Sequence, residues 1–178
     1  MRTDRLQREY GVKLRWTVFP LHPEIPLEGM EISALFPGRE AAIKEMQARL
    51  SRQAAMEGLA LMEKRTHTYN SRLAQELGKW AESEGKGEPF HRALYRAFFV
   101  EGSNIAQINE LVRIAQSVGL PVDGVLTVLG SRSFAAAVDS DWQRSKELLI
   151  NAVPTHLCGD RRLEGFGPYE EFERLIGR

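Results

Sequence analysis

Cysteine is almost absent. The 178 residues hold one, Cys158, so no disulfide can close within the chain. That fits a reducing compartment. An excess of charge of either sign is also missing. Lys plus Arg number 24 and Asp plus Glu number 24, for a formal net charge of zero. A neutral chain has no long-range pull toward nucleic acid or an anionic membrane. No run approaches the ~20 apolar residues of a membrane span. Residues 1–10 lack the apolar centre of a secretion signal. The expectation is a soluble cytoplasmic protein with neither nucleic acid nor membrane as partner. Gly-x-x-x-x-Gly spacings occur, but none leads into Lys-Ser or Lys-Thr, so a phosphate-cradling loop is not expected. No nucleophile–base–acid set stands out. His67 and His91 have no partner at ligand spacing, so no metal site is expected.

The length suits one domain carrying an insertion, with ~70% of the unfolded surface buried and no need of a disulfide or metal staple. Residues 3–10 are charged and helical in composition, and Gly11 ends them. Residues 12–18, Val-Lys-Leu-Arg-Trp-Thr-Val, alternate apolar and polar at period two and predict a strand. Pro20, Pro23 and Pro26 then force an extended loop. From about 39 to 151 the periodicity is helical. Ile43, Met46, Leu50 and Ala54 share one face, and Gly58 can close that helix. Asn70 or Ser71 can cap the next, and Ser103 or Asn104 a later one. Gly119 and Pro121 stop one helix and restart another. Ser131 or Ser133 opens a further helix, and Asp139 or Ser140 caps a last one through Leu149 and Ile150. The ending changes character. Residues 153–158 and 161–166 read as two strands joined by the turn Gly159-Asp160, and Gly167-Pro168 opens a closing helix.

The segment Leu149-Ile150-Asn151-Ala152-Val153-Pro154-Thr155-His156-Leu157 resembles the G-V-P-T-F segment of the DsbA family. Residues 162–172 resemble the family's next segment, the second strand and the start of the closing helix. Within the helical part, Phe90-His91-Arg92-Ala93-Leu94-Tyr95-Arg96-Ala97-Phe98-Phe99-Val100-Glu101-Gly102 is similar to a helix of the FrnE-like branch. So are residues 111–120 and the helix start Thr68-Tyr69-Asn70-Ser71-Arg72-Leu73-Ala74. These five segments stand in the family's order, and the resemblance extends over nearly the whole chain. The resemblance implies an α/β, thioredoxin-like fold of DsbA type with a large helical insertion. Residues 1–26 and 152–178 would form the thioredoxin-like part, and 27–151 the insertion with the helix leading into the proline strand.

The resemblance also implies a cis Val153–Pro154 bond, with Val153, Pro154 and Thr155 presenting backbone to a substrate strand or to glutathione. The activity implied is thiol–disulfide exchange with a protein substrate. The family's C-x-x-C, at the start of its first helix, and the strand before it have no counterpart here. They would lie before Met1, so no catalytic residue is expected in this chain and its dithiol cycle cannot run as written. Three explanations stand: a start further upstream, a neighbouring chain that donates the strand, or a rearranged protein without redox function. In the second, a homo-oligomer completes the sheet. The rival readings are a glutathione-dependent isomerase, similar to 2-hydroxychromene-2-carboxylate isomerase and kappa-class glutathione transferases, and a non-catalytic binding protein. No cofactor is expected unless glutathione is one.

Two histidines are candidates for the rim of a cleft. His22 sits in the proline-rich loop, and His156 alternates with Thr155 and Leu157 on the strand. Thr66-His67-Thr68 is a weaker rim candidate. Cys158 lies at the far end of the strand and is read as a small buried hydrophobe. Trp16, Trp80 and Trp142 are assigned to the core.

Overall fold

A computed structural model describes residues 2–62 and 64–178. In chain order its elements are α1 (Arg2–Tyr10), β1 (Met30–Glu31), α2 (Ile32–Leu35), α3 (Glu40–Met56), β2 (His67–Thr68), α4 (Arg72–Ser83), α5 (Gly87–Phe99), α6 (Ile108–Ser117), α7 (Val122–Ser131), α8 (Ala135–Glu147), β3 (Thr155–Cys158), β4 (Arg161–Glu164) and α9 (Tyr169–Leu175). They divide into two compact units, one of residues 1–21 and 139–178, the other of residues 22–138. Residues 139–151, expected within the insertion, therefore group with the two ends of the chain.

In the larger unit, α4 to α7 pack around Leu77, Phe90, Leu111, Ile114 and Val125, all fully buried. Their apolar spacing supplies the stripe that each helix turns inward. Two asparagines then fix the preceding loop. Asn70 accepts a hydrogen bond from Arg72 N at 2.8 Å through Oδ1, while its amide nitrogen donates to Ile25 O at 2.6 Å and Pro23 O at 3.2 Å. Asn104 accepts from Ala106 N and donates to Leu27 O at 3.0 Å. Each side chain accepts from the amide two residues on with its oxygen and clips the loop with its nitrogen. Neither is the cap residue, which is Ser71 for α4 and Gln107 for α6, and neither of those makes a side-chain cap bond. Gly29, at φ +90°, lies where a Cβ would sit 2.3 Å from the Tyr69 ring, so only glycine fits.

The charged centre of this unit is Glu76, 0% exposed. Arg72 Nε donates to its Oε1 at 2.6 Å, and Arg132 donates through Nε and a terminal nitrogen at 2.7 and 2.6 Å. Arg132 takes φ +53° at the end of α7, where its fork meets the carboxylate. Burial alone pushes the Glu76 carboxyl up. The hydrogen bonds and charge of Arg132 and Arg72 outweigh it and hold the pKa below the usual value.

In the smaller unit, α1 packs against α9 with Leu6, Tyr169 and Phe172 buried. Tyr169 OH donates to Glu9 at 2.9 Å and Tyr10 OH to Glu173 at 2.6 Å. Burial and the Glu9 carboxylate push the Tyr169 phenol up to about 12. The Arg5 guanidinium lies 3.8 Å from the centre of the Tyr169 ring.

Several expectations are corrected. Residues 12–18 form no strand. Alternation marks two faces, but a strand also needs a ladder partner, and none of the described residues pairs with this segment. It is held instead through Val18 N, which donates to buried Asp141 at 3.1 Å. Trp16 on this segment is exposed and Trp142 half-buried, while Trp80 is core. Asp139 and Ser140 do not cap a new helix. They lie inside α8, which runs unbroken and stops before Leu149, a residue at φ +52°. The two strands of the ending are shorter than expected, four residues each. A two-residue ladder joins β1 to β2, Met30 opposite Thr68, and its β2 strand lies inside the stretch 39–151 read as helical.

Two measurements test this packing. Gly124 faces Trp80 so closely that a Cβ would meet the ring at 2.7 and 2.9 Å. Helix propensity favours Ala by about 1 kcal/mol, but overpacking against a rigid ring costs ~1–3 kcal/mol. Gly124→Ala is expected to lower the urea midpoint; a raised midpoint would contradict this packing. For Glu76, the folded pKa is below the unfolded one, near 4.5. Its contribution is therefore complete above that value and is lost as pH falls through the folded pKa. Glu76→Gln is expected to cost about 3 kcal/mol at neutral pH and to flatten the acid limb of a stability–pH curve.

Candidate functional site

The hairpin of the smaller unit is built by its turn. Gly159 takes φ +58° and, with Asp160, makes a two-residue connection, which suits tight antiparallel pairing. Cys158 pairs with Arg161, Leu157 with Arg162, His156 with Leu163 and Thr155 with Glu164. Just beyond, Gly165 N donates to Pro154 O at 2.8 Å. In an antiparallel ladder hydrogen-bonded and non-bonded pairs alternate. A bonded pair at Pro154 makes His156 and Cys158 the bonded positions. The N–H and C=O of Thr155 and Leu157 therefore face away from β4. Among the described residues no strand pairs with that edge of β3.

The Val153–Pro154 peptide is cis, and Val153 is 47% exposed. Thr155 Oγ1 donates to Ala152 O at 2.7 Å, which ties the entry to the strand. Val153, Pro154 and Thr155 thus form an accessible run whose backbone continues the free edge of β3.

His156 adjoins this run but turns inward. Its ring meets Phe172 of α9 edge to face, centroids 4.8 Å apart. Its Nδ1 is buried without a hydrogen-bond partner. Burial lowers the imidazole pKa; the Leu163 backbone opposes that shift in part, without the geometry of a bond to Nδ1. His22 belongs to the other unit, where its Nδ1 lies 3.2 Å from Glu24 Oε1 and its ring packs edge-on to Phe36. Cys158 is exposed, not buried as read from sequence. It closes the hairpin turn opposite Arg161. No group of three or more His, Cys, Asp or Glu able to hold a metal occurs among the described residues.

One group was missed by sequence reasoning. Arg65 is half-buried beside the rings of Phe98 and Phe99. Arginine in a polar stretch next to Thr66-His67-Thr68 gave no signal of that burial.

The His156 environment carries its own test. The unfolded pKa is near 6.5 and the folded one lower, so its contribution to stability is complete above 6.5 and lost as pH falls through the folded value. In an NMR titration His156 is expected to have a midpoint below that of a solvated histidine. Phe172→Leu, which opens one side of the ring, should move the midpoint upward. An unmoved midpoint would show that Phe172 does not set the burial.

The family model described as "DSBA-like thioredoxin domain" matches residues 1–177. The chain is 32% identical over 116 residues to the uncharacterized protein YwbO of Bacillus subtilis, covering 62% of this chain and 55% of that protein. It is 35% identical over 91 residues to the ClpXP adapter protein SpxH of Shouchella clausii, covering 50% and 29%. It therefore spans about half the length of the first relative and under a third of the second. Among solved structures, a probable DsbA oxidoreductase from Streptomyces coelicolor superposes with TM-score 0.88 at 23% identity, covering 97% of this chain and 79% of that one. A 2-hydroxychromene-2-carboxylate isomerase superposes with TM-score 0.72 at 20% identity, covering 98% and 83%. These likenesses at low identity establish the fold, of DsbA-like thioredoxin type with a mostly helical body. With 177 of its residues matched by one family model, the chain belongs to the DSBA-like thioredoxin domain family.

Proposed function

We propose that this chain is a relative of the DsbA-type thiol–disulfide oxidoreductases and supplies the strand-receiving half of such a site. Residues 153–157 accept an extended cysteine-bearing polypeptide as an added strand. The observation that carries the reading is the phase of the hairpin. Gly165 N to Pro154 O turns the backbone groups of Thr155 and Leu157 outward, toward an edge with no strand partner among the described residues. An added strand binds through such groups.

The exchange chemistry sets a limit. A thiolate attacks a disulfide, forms a mixed disulfide and expels the other sulfur as thiolate. A second thiol must then attack the mixed disulfide to release the product. With one cysteine, this chain can take at most the first of those steps. Completing a dithiol cycle requires a thiol from outside these 178 residues.

The test uses a fluorescent extended peptide whose cysteine is S-methylated, so that no covalent bond forms. Saturable binding is expected in fluorescence anisotropy. Leu157→Pro removes an N–H that points away from β4, a position where proline is tolerated on an edge. It should leave the circular dichroism melt nearly unchanged and weaken the peptide by about tenfold, the worth of one or two hydrogen bonds. Equal affinity of both proteins would remove the edge from the site. Insulin reduction by the chain should not exceed the buffer control; turnover at the rate of a dithiol enzyme would overturn the second-thiol argument. Glutathione that binds where the peptide does not would shift the reading to a glutathione-dependent isomerase.

A further inference from the structure

The larger unit holds a small cavity of about 60 Å³ lined by Arg65 with Met62, Thr66, His67, Tyr69, Phe98 and Gly102. Its floor is firmly built. Met62 N donates to Phe99 O, Gln47 Nε2 donates to Arg65 O at 2.8 Å, and Ile32 N donates to Thr66 O at 2.9 Å. The ladder of β1 with β2 continues this anchoring through His67 and Thr68. The walls are aromatic: Tyr69 meets Phe98 edge to face at 6.3 Å, and Phe98 meets Phe99 at 4.8 Å. Gly102 leaves the space beside Met62 open; a Cβ there would come 3.2 Å from the methyl carbon.

The Arg65 guanidinium lies over two of these rings, 4.9 Å from the centre of Phe98 and 5.4 Å from that of Phe99. Ring faces stabilise a cation but use none of its five N–H donors in a normal hydrogen bond. Among the described residues no carboxylate pairs with it. Arg72 and Arg132 differ in resting on Glu76, and Arg113 in resting on Glu110 and Glu101. Burial lowers the Arg65 pKa without any opposing charge, yet a guanidinium stays protonated throughout the working range. The chain therefore keeps a permanent cation, partly stripped of water, at the wall of a preformed cavity.

We propose that this cavity is a binding site for a small carboxylate, whose oxygens take the free donors of Arg65 while its short apolar stem lies against Tyr69, Phe98 and Met62. A planar carboxylate matches the planar fork of guanidinium with two parallel hydrogen bonds. A phosphate would present a third oxygen and a second charge, and beside Arg65 the lining supplies Thr66 and His67 but no second arginine or lysine. The site belongs to the larger unit and stands independently of the peptide edge of β3, so either can fail alone.

The probe is propionate, with propionamide as the neutral isostere and the full 178-residue chain as the protein. The Arg65 Nε–Hε resonance, assigned by its loss in Arg65→Lys, is expected to shift saturably with propionate and not with propionamide. Arg65→Met should weaken propionate at least tenfold when affinity is read from the Tyr69 ring resonances, with its melting curve establishing that it folds. Arg65→Lys, a point charge without the fork, should also bind more weakly than the parent. An unsaturable response, an equal response in Arg65→Met, or tighter binding of inorganic phosphate than of propionate would overturn the proposal. Glu63, two positions before Arg65, supplies one more control. A response seen only after Glu63→Gln would overturn the proposal as well, because the chain's own carboxylate would then occupy the site.

Discussion

The hydrogen bond from Gly165 N to Pro154 O, 2.8 Å long, decides the direction of every backbone group in the hairpin. Once Pro154 is a bonded position, alternation assigns the rest of β3 without further freedom. His156 and Cys158 spend their backbone groups on β4, and Thr155 and Leu157 keep theirs for the other side. A slip of one residue would reverse this and would also carry His156 away from Phe172. The edge-to-face contact of those two rings and the outward edge are therefore consequences of the same register. Gly165 itself takes φ +78°, which lets β4 end at that bond and leave for α9.

Polar residues play the corresponding part in the larger unit. A stripe of Leu, Ile and Phe brings helices together but tolerates many arrangements of loops around them. Asn70 and Asn104 remove that freedom. Each accepts from the amide two residues on and donates to carbonyls in the loop of residues 23–27 with one side chain. Glu76 acts similarly further along α4, joining α4 to the end of α7 through Arg132. A buried carboxylate without both guanidinium partners would carry a large desolvation cost. The helices must therefore sit where the three side chains meet.

How much of this was legible depended on whether the cause was local. Gly159, Pro154 and the Gly167-Pro168 pair act on their own backbone, so the hairpin, its turn and the start of α9 could be read from the residues. The turn that Asn70 Oδ1 makes with Arg72 N just before α4 has such a local cause, but its bond to Ile25 O, 45 positions away, was not legible. Residues 12–18 show the opposite case. Their alternation is real, yet only a partner makes a strand, and the contacts of Val18 and Arg15 with Asp141 are no ladder. In α8 the polar Asp139 and Ser140 read as a cap because these residues favour caps. Here the helix continues through them, and Ser145 satisfies its hydroxyl on the Asp141 carbonyl one turn back. Arg65 lay beyond reach altogether, since its partners are two rings brought from α5.

The two outer edges of the hairpin are not equivalent, and the difference bears on what each is for. An open strand edge is a template for unwanted pairing, and proteins guard it with charge, proline or covering chain. The outward positions of β4 are Arg162 and Glu164, both charged, and they pair with each other. Arg162 also donates to the carbonyls of Leu148 and Leu149, which lays chain beside it. The outward positions of β3 are Thr155 and Leu157, with Leu157 41% exposed and no charge on either. Val153 at its head is exposed too. One hairpin thus carries a guarded edge and an unguarded one four residues long. Among the described residues neither strand nor charge covers the outer edge of β3, and that contrast with β4 is what the strand addition we propose rests on.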